Sequence, residues 1–152
     1  MVWLSRSSWS YLGALVVSAF VLNWLWEMVQ MPAYAEMAGR LWLETVGICT
    51  IAAWGDVVIT LGVYGAVALA TRDLRWAATG RWPVFAVSAL LGAVCAFLFE
   101  RIALAAGRWS YTDRMPIVPA LGVGLWPLLQ LTLLVPLNFW LASWWGRGGA
   151  RR

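Results

Sequence analysis

Residues 23–32 read Asn-Trp-Leu-Trp-Glu-Met-Val-Gln-Met-Pro and close a long apolar run. This run carries two amides and a carboxylate, at Asn23, Gln30 and Glu27. Spacings of four and three residues place the three side chains on one face of a helix. A carboxylate within a membrane span is costly unless it faces protein or water. We therefore expect this face to point into the protein and to mark a site.

Four runs are long and apolar enough to cross a bilayer, which takes about 20 residues. They cover residues 10–31, 46–71, 82–106 and 122–145. Each is bounded by the Gly, Pro or Arg residues that favour helix ends. Within lipid only helices and closed barrels satisfy their backbone groups, and these runs are too long for barrel strands. The sequence predicts an all-α integral membrane protein, a four-transmembrane-helix bundle with short loops and a single domain, residues 1–152.

The first run has an alternative interpretation as a secretory signal peptide. Ala33-Tyr34-Ala35 resembles a cleavage site, and a signal peptide would be removed there. The run is longer than the apolar part of a signal peptide and contains Asn23 and Glu27. We therefore expect it to be retained as a transmembrane helix.

The composition excludes several kinds of site. Hydrophobic residues make up 62% of the chain and 13 residues are Trp, which suits a protein held at membrane–water interfaces. The chain has no His, which excludes histidine-ligated haem and most catalytic zinc sites. Cys49 and Cys95 are too few for a thiolate cluster, so we expect buried thiols, with a disulfide as the alternative. No metal, cofactor or nucleic-acid partner is expected.

The distribution of arginine predicts the orientation, because positive charge is enriched on the cytoplasmic side of a membrane. All 11 basic residues are Arg. The termini and the middle loop share one side and carry Arg6, Arg72, Arg75, Arg81, Arg147, Arg151 and Arg152. The other side carries Arg40, Arg108 and Arg114. We expect a protein of the inner (plasma) membrane with both termini cytoplasmic and residues 32–45 and 107–121 outside.

Polar side chains of all four predicted helices fall at mid-depth or in the outer half of the membrane. They are Asn23, Glu27, Asp56, Glu100, Arg101 and Gln130. Small or polar residues form stripes beside them, Gly92, Ala96, Glu100, Ala103 and Gly107 on the third helix and Cys49, Ala53, Asp56 and Thr60 on the second. A neighbouring helix packs closely on such a stripe. We therefore expect these groups to face the bundle interior.

Three carboxylates and one arginine cannot all be charged and unpaired in a low-dielectric interior. We expect Arg101 to pair with Glu27 or Asp56. Burial and like-charge repulsion disfavour ionisation of the remaining carboxyls. Glu100 is the leading candidate for a general acid, Asp56 is the alternative acid or the partner base, and Glu27 completes the catalytic candidates. The alternative is a purely structural polar cluster that fixes the helix register.

Further residues are candidates for ligand binding because of their side chains and their positions. They are Asn23, Trp26, Gln30, Trp54, Arg101, Tyr111 and Gln130. Electron-rich rings stabilise a cation, whether it belongs to a ligand or develops in a reaction. Trp42 and Trp109 are expected to be interfacial anchors instead. The polar segment 107–119 is expected to be either an ordered lid or a simple connection.

The leading functional hypothesis is a cofactor-independent acid–base enzyme of cyclase or isomerase type, or a binding protein, for an isoprenoid or other apolar lipid. Aromatic residues and a carboxylate would stabilise the cation formed by proton transfer. One alternative is a proton-coupled transporter of small molecules that works as a homodimer. Another is a non-catalytic subunit of a membrane complex, whose polar groups would face a partner.

Overall fold

Four long helices dominate the computed structural model, which describes residues 6–78 and 81–149, without the side chains of residues 6–8 and 146–149. They are α1 (Arg6–Gln30), α2 (Trp42–Thr71), α3 (Trp82–Ala105) and α4 (Leu125–Gly149). Each contains a stretch that is long and apolar enough to cross a membrane. The predicted all-α four-helix bundle is confirmed. The predicted domain extends to residues 1–152, and its arginines at 151 and 152 lie outside the described part.

Each helix packs against the next in the chain, and α4 packs back against α1. Among these neighbouring pairs, α2 and α3 have the least contact. The predicted small-residue faces are confirmed within the helices, because Ala53 on α2 and Gly92, Ala96 and Ala103 on α3 are all buried, whereas Gly107 lies beyond the end of α3 and is exposed. A Cβ atom on Gly92 would lie 2.4 Å from the carbonyl oxygen of Leu131. Glycine at this position therefore permits the close approach of α3 and α4.

One end of the bundle holds the start of α1, the end of α4 and the loop between α2 and α3, and we name it the terminus end. The loop folds Trp76 into the bundle, where its side chain is 2% exposed. The Trp76 ring centroid lies 5.0 Å from that of Phe139, and its Nε1 donates to the Tyr64 carbonyl oxygen at 3.3 Å. This aromatic plug closes the apolar core at the terminus end.

The opposite end, which we name the capped end, carries two ordered connections. The first contains short 3₁₀ turns at Met31–Ala33 and Ala35–Met37. The second contains two short antiparallel strands, β1 (Ile117–Val118) and β2 (Val123–Gly124). This hairpin explains why α4 begins at Leu125 and not at residue 122 as predicted. Two-residue strands are too short to give the alternating pattern that would identify them in the sequence.

Candidate functional site

The amide of Gln130, on α4, contacts polar side chains on two other helices, α1 and α2. Its Nε2 lies 2.8 Å from Asp56 Oδ2 on α2, and 3.1 Å from both Asn23 Oδ1 and Glu27 Oε1 on α1. Gln30 Nε2 adds bonds of 3.0 Å to Glu27 Oε1 and to Gln130 Oε1. We name these five residues the amide–carboxyl cluster. The expectation that Asn23, Glu27 and Gln30 share one inward face is confirmed.

The amide–carboxyl cluster contains more acceptors than donors. Gln130 Nε2 carries two hydrogens but faces three acceptor oxygens. Gln30 Oε1 is buried and accepts no hydrogen bond. Since Glu27 Oε1 and Asp56 Oδ2 lie 3.1 Å and 2.8 Å from the same nitrogen, they are at most 5.9 Å apart. Two carboxylates this close, without a cation between them, are stabilised by a proton or by a ligand that supplies a donor.

Glu100, on α3, has the opposite environment, because three donors converge on its carboxylate. Tyr34 Oη donates to Oε1 at 3.4 Å, Trp109 Nε1 donates to Oε2 at 3.3 Å, and Tyr111 Oη donates to Oε2. The Tyr111 hydroxyl in turn accepts the backbone N–H of Gly124 at 2.9 Å. Its own hydrogen is thus directed at Glu100. An ionised carboxylate accepts hydrogen bonds only, which matches these three donors.

The two tyrosines lie beyond the membrane spans and remain protonated. Burial, and next the negative charge of Glu100, raises the pKa of Tyr34. Burial, and next the hydrogen bond to Glu100, raises the pKa of Tyr111. Both hydroxyls therefore keep the hydrogens that they donate. Glu27 also lies within range of weak electrostatic repulsion from Glu100.

The two connections at the capped end pair with each other above this site. Ala35 N donates to the Ser110 carbonyl oxygen at 3.0 Å, and Thr112 N donates to that of Ala33 at 3.0 Å. The Glu36 carboxylate accepts the backbone N–H of Ser110 at 2.9 Å and its hydroxyl at 2.8 Å. Segment 107–119 is thus an ordered part of the capped end, and we name it the lid.

A cavity of about 470 Å³ lies beside the lid. Met31, Tyr34 and Met37 line it from the first connection, Thr45 from α2, and Thr112 and Arg114 from the lid. The Tyr34 side chain therefore belongs both to the cavity wall and to the hydrogen-bonded shell of Glu100. The volume of the cavity is within the range of small-molecule sites.

The predicted ion pair of Arg101 with Glu27 or Asp56 is wrong. The Arg101 side chain is exposed, and its Nη1 lies 3.4 Å from the position that a Cβ atom on Gly122 would take. Arg101 follows Glu100 directly, so the helical rotation turns its side chain away from the buried face that Glu100 occupies. A long arginine side chain near the end of a helix can reach the interface, which removes the need for an interior partner.

The aromatic candidates separate into two groups. Tyr111 contacts Glu100, whereas Trp54 is 49% exposed and packs on Phe20, with ring centroids 5.0 Å apart. Trp26 is partly buried, and no described contact joins it to the carboxyls. The anchor interpretation fits Trp42, which is exposed at the start of α2. It does not fit Trp109, because Trp109 donates to Glu100.

Sequence reasoning missed Tyr34 and Trp109 as partners of Glu100. Both lie in connections, where helical spacing gives no information about which side chains meet. The available signal was that both follow predicted outer helix ends, on the same side as Glu100.

Within the described residues, no three His, Cys, Asp or Glu side chains converge to hold a metal ion. No protein-family model, curated protein or solved structure matches this chain.

Proposed function

We propose that the protein is a membrane-embedded acid–base enzyme that acts on an apolar molecule dissolved in the bilayer. The observation that carries this proposal is the donor deficit of the amide–carboxyl cluster, in which two carboxyls compete for the amide of Gln130. A proton carried by either Glu27 or Asp56 adds a donor and reduces this deficit. The cluster is thereby a reservoir for one transferable proton.

The three carboxyls then have different roles. Glu27 and Asp56 supply the acid, because they are close together and short of donors. Glu100 remains the ionised partner, because three donors hold it in place. This division favours the pair over Glu100 as the acid, although all three remain candidate catalytic residues. A protonated carboxyl near an ionised one is the arrangement from which acid–base assignments follow.

The reaction class that fits is the isomerisation or cyclisation of an olefin. The pair delivers its proton to one carbon of a C=C bond, and the π electrons form the new C–H bond. The neighbouring carbon becomes a cation, which Glu100 and the electron-rich rings of Trp109 and Tyr34 stabilise. Loss of a proton from an adjacent carbon to a carboxylate restores a C=C bond, so no oxidant, reductant or cofactor is consumed.

Access from the lipid is consistent with the packing of the bundle. The lid covers the capped end through paired backbone groups, and the aromatic plug covers the terminus end. The loosest seam is between α2 and α3, and Asp56 on α2 is only partly buried. An apolar substrate would therefore reach the carboxyl pair sideways from the bilayer.

The proposal is tested by infrared spectroscopy of the purified protein, combined with mass spectrometry of the lipids extracted from it. We expect a protonated-carboxyl band at neutral pH that disappears in Glu27→Gln and in Asp56→Asn but persists in Glu100→Gln. Glu44→Gln, an exposed carboxylate on α2, is the matched control and should leave the band unchanged. We also expect an apolar molecule to copurify. Absence of the band, or its loss in Glu100→Gln alone, would contradict the assignment.

The alternative of a proton-coupled transporter is favoured by one observation. Polar groups continue beyond the carboxyl pair toward the terminus end, on Thr60 and Asn138, both of which are fully buried. Transport predicts proton uptake into liposomes that depends on a small-molecule gradient, whereas the enzyme predicts turnover without flux. Glu27→Gln should abolish either activity, so the measurement of flux separates the two functions.

A further inference from the structure

The buried polar atoms without partners are not scattered through the protein. Among the described residues they are Gln30 Oε1, Thr60 Oγ1, Asn138 Nδ2 and Asn138 Oδ1, and to these Tyr11 Oη is added, beside which lies only the Ser143 hydroxyl. Gln30 belongs to the amide–carboxyl cluster itself. The other three residues lie on three different helices, each on the terminus side of that cluster.

Their axial positions form a regular series. Asn23, Asp56 and Gln130 define a common starting level, because all three are joined at Gln130 Nε2. At a rise of about 1.5 Å per residue, Thr60 lies about 6 Å beyond Asp56 along α2. By the same measure Asn138 lies about 12 Å beyond Gln130 along α4.

The third step continues the series. Tyr11 lies about 18 Å beyond Asn23 along α1. The Tyr11 hydroxyl interacts with the Ser143 hydroxyl, which donates to the carbonyl oxygen of Ala77 at 2.9 Å, in the loop at the terminus end. Buried polar groups thus recur at axial steps of about 6 Å toward the terminus end. The series ends next to the polar loop.

Asn138 is the decisive member of the series. Its side chain is 0% exposed, yet neither its amide nitrogen nor its carbonyl oxygen has a partner in the protein. Burying such a group dry in an apolar core is strongly unfavourable. Buried polar groups of this kind are the usual binding sites of internal water. Thr60 is likewise 0% exposed and unpartnered.

We propose that Thr60, Asn138 and Tyr11 hold a column of buried water that connects the Glu27–Asp56 pair to the terminus end. The column goes beyond the proposed enzyme function, since it supplies protons to the pair whether the pair serves an enzyme or a transporter. Protons move along it by exchange between neighbouring waters and the Tyr11 hydroxyl. The aromatic plug, which Trp76 and Phe139 form, borders its outlet.

The experiment is radiolytic footprinting of the full-length protein, in which hydroxyl radicals made from bound water oxidise adjacent side chains. Phe139 and Leu15 are reporters because both are 0% exposed and belong to the core at this depth. We expect both to be oxidised in the wild type. In Asn138→Leu, oxidation should fall at least about fivefold, because the water loses its principal partners. Thr60→Val should also lower it.

Thr132→Val is the matched control, because the Thr132 hydroxyl already donates to the Leu128 carbonyl oxygen and lies outside the series. It should leave oxidation unchanged. Unlabelled Phe139 and Leu15 in the wild type, or equal labelling in all four proteins, would overturn the column. Neither result bears on the infrared band of the carboxyl pair, so failure of the column is distinguishable from failure of the proposed acid–base function.

A second measurement tests the direction of proton supply. In oriented liposomes, a pH jump on the terminus side should change the protonated-carboxyl band rapidly in the wild type and about tenfold more slowly in Asn138→Leu. A band that follows only the pH on the capped side would overturn the proton-supply role, even where footprinting detects the water.

Discussion

Gly92 and Leu131 bring the backbones of α3 and α4 together, since a Cβ atom at Gly92 would lie 2.4 Å from the Leu131 carbonyl oxygen. A backbone carbonyl cannot rotate away as a flexible side chain can. Substitution at Gly92 must therefore push the two helices apart. This contact sets the distance between the helix that carries Glu100 and the helix that carries Gln130.

Gly92→Ala is expected to destabilise the protein by about 1–3 kcal/mol, as other overpacked interiors do. Thermal unfolding in detergent measures the effect. The matched control is Gly62→Ala on α2, where nothing lies within 4 Å of the added Cβ atom. The control should be neutral or slightly stabilising, because alanine favours helix more than glycine does. Equal stability of the two variants would contradict the close contact.

Arg101→Leu is expected to change the free energy of unfolding by no more than about 0.5 kcal/mol, because the side chain is exposed and has no carboxylate partner among the described residues. Its effect should also add to that of Glu27→Gln without coupling. A double-mutant cycle on unfolding measures both quantities. Partial rescue of Arg101→Leu by Glu27→Gln would instead support an ion pair between the two side chains and contradict this prediction.

The incorrect prediction of an Arg101 ion pair shows what the sequence can and cannot predict. Periodicity predicted that Asn23, Glu27 and Gln30 share a face, and the hydrogen bonds to Gln130 confirm it. Charge balance alone suggested an ion pair, but α3 directs Glu100 and Arg101 to different surfaces.

The shell around Glu100 was beyond prediction for another reason. It depends on Tyr34 and Trp109, two connection residues that are 75 positions apart in the chain. Helical spacing predicts neighbours within one helix, whereas contacts between connections depend on how the whole bundle closes.

Tyr111→Phe should destabilise the capped end by about 1–3 kcal/mol, because both the Gly124 N–H and the Glu100 carboxylate lose a partner. Tyr34→Phe should cost less, since it removes a single long bond of 3.4 Å. Thermal unfolding and the amide exchange of Gly124 measure the two effects. An equal or larger loss in Tyr34→Phe would contradict the central position of Tyr111.

Acid should loosen the lid through Glu36. The backbone N–H of Ser110 is the main cause that lowers the pKa of Glu36 below its ordinary value of 4.5. A carboxyl with a lowered pKa in the folded state contributes stability above its unfolded pKa and loses it as the pH falls. The protection of the amides around Ser110, measured relative to their intrinsic exchange rates at each pH, should therefore fall below about pH 4.5 in the wild type.

Glu36→Gln should exchange faster than the wild type at pH 7, and the two should converge in acid. Glu44→Gln, which removes an exposed carboxylate at the same end, is the control and should retain the wild-type pH dependence. Identical exchange of wild type and Glu36→Gln at pH 7 would show that the carboxylate does not hold the lid.

The orientation follows from the arginine distribution and remains a prediction. Reporter fusions at the N- and C-termini should both be active in the cytoplasm, because the terminus end carries most of the arginines outside the spans. The lid should then be accessible from outside, and a cysteine introduced at Asp113 should react with an impermeant reagent. If both reporters were found outside the cell, the orientation would be the opposite of the one predicted.

The pairing of the two connections has an evolutionary consequence. Two of its bonds join main-chain groups, from Ala35 to Ser110 and from Thr112 to Ala33. A bond between backbone groups survives any substitution that keeps the local conformation and the N–H, so only proline at the two donor positions removes it directly. The side chains that line the neighbouring cavity, apart from Tyr34, are thus free to change without removing these two bonds. Related chains could diverge in the molecule they recognise while keeping the same closed architecture.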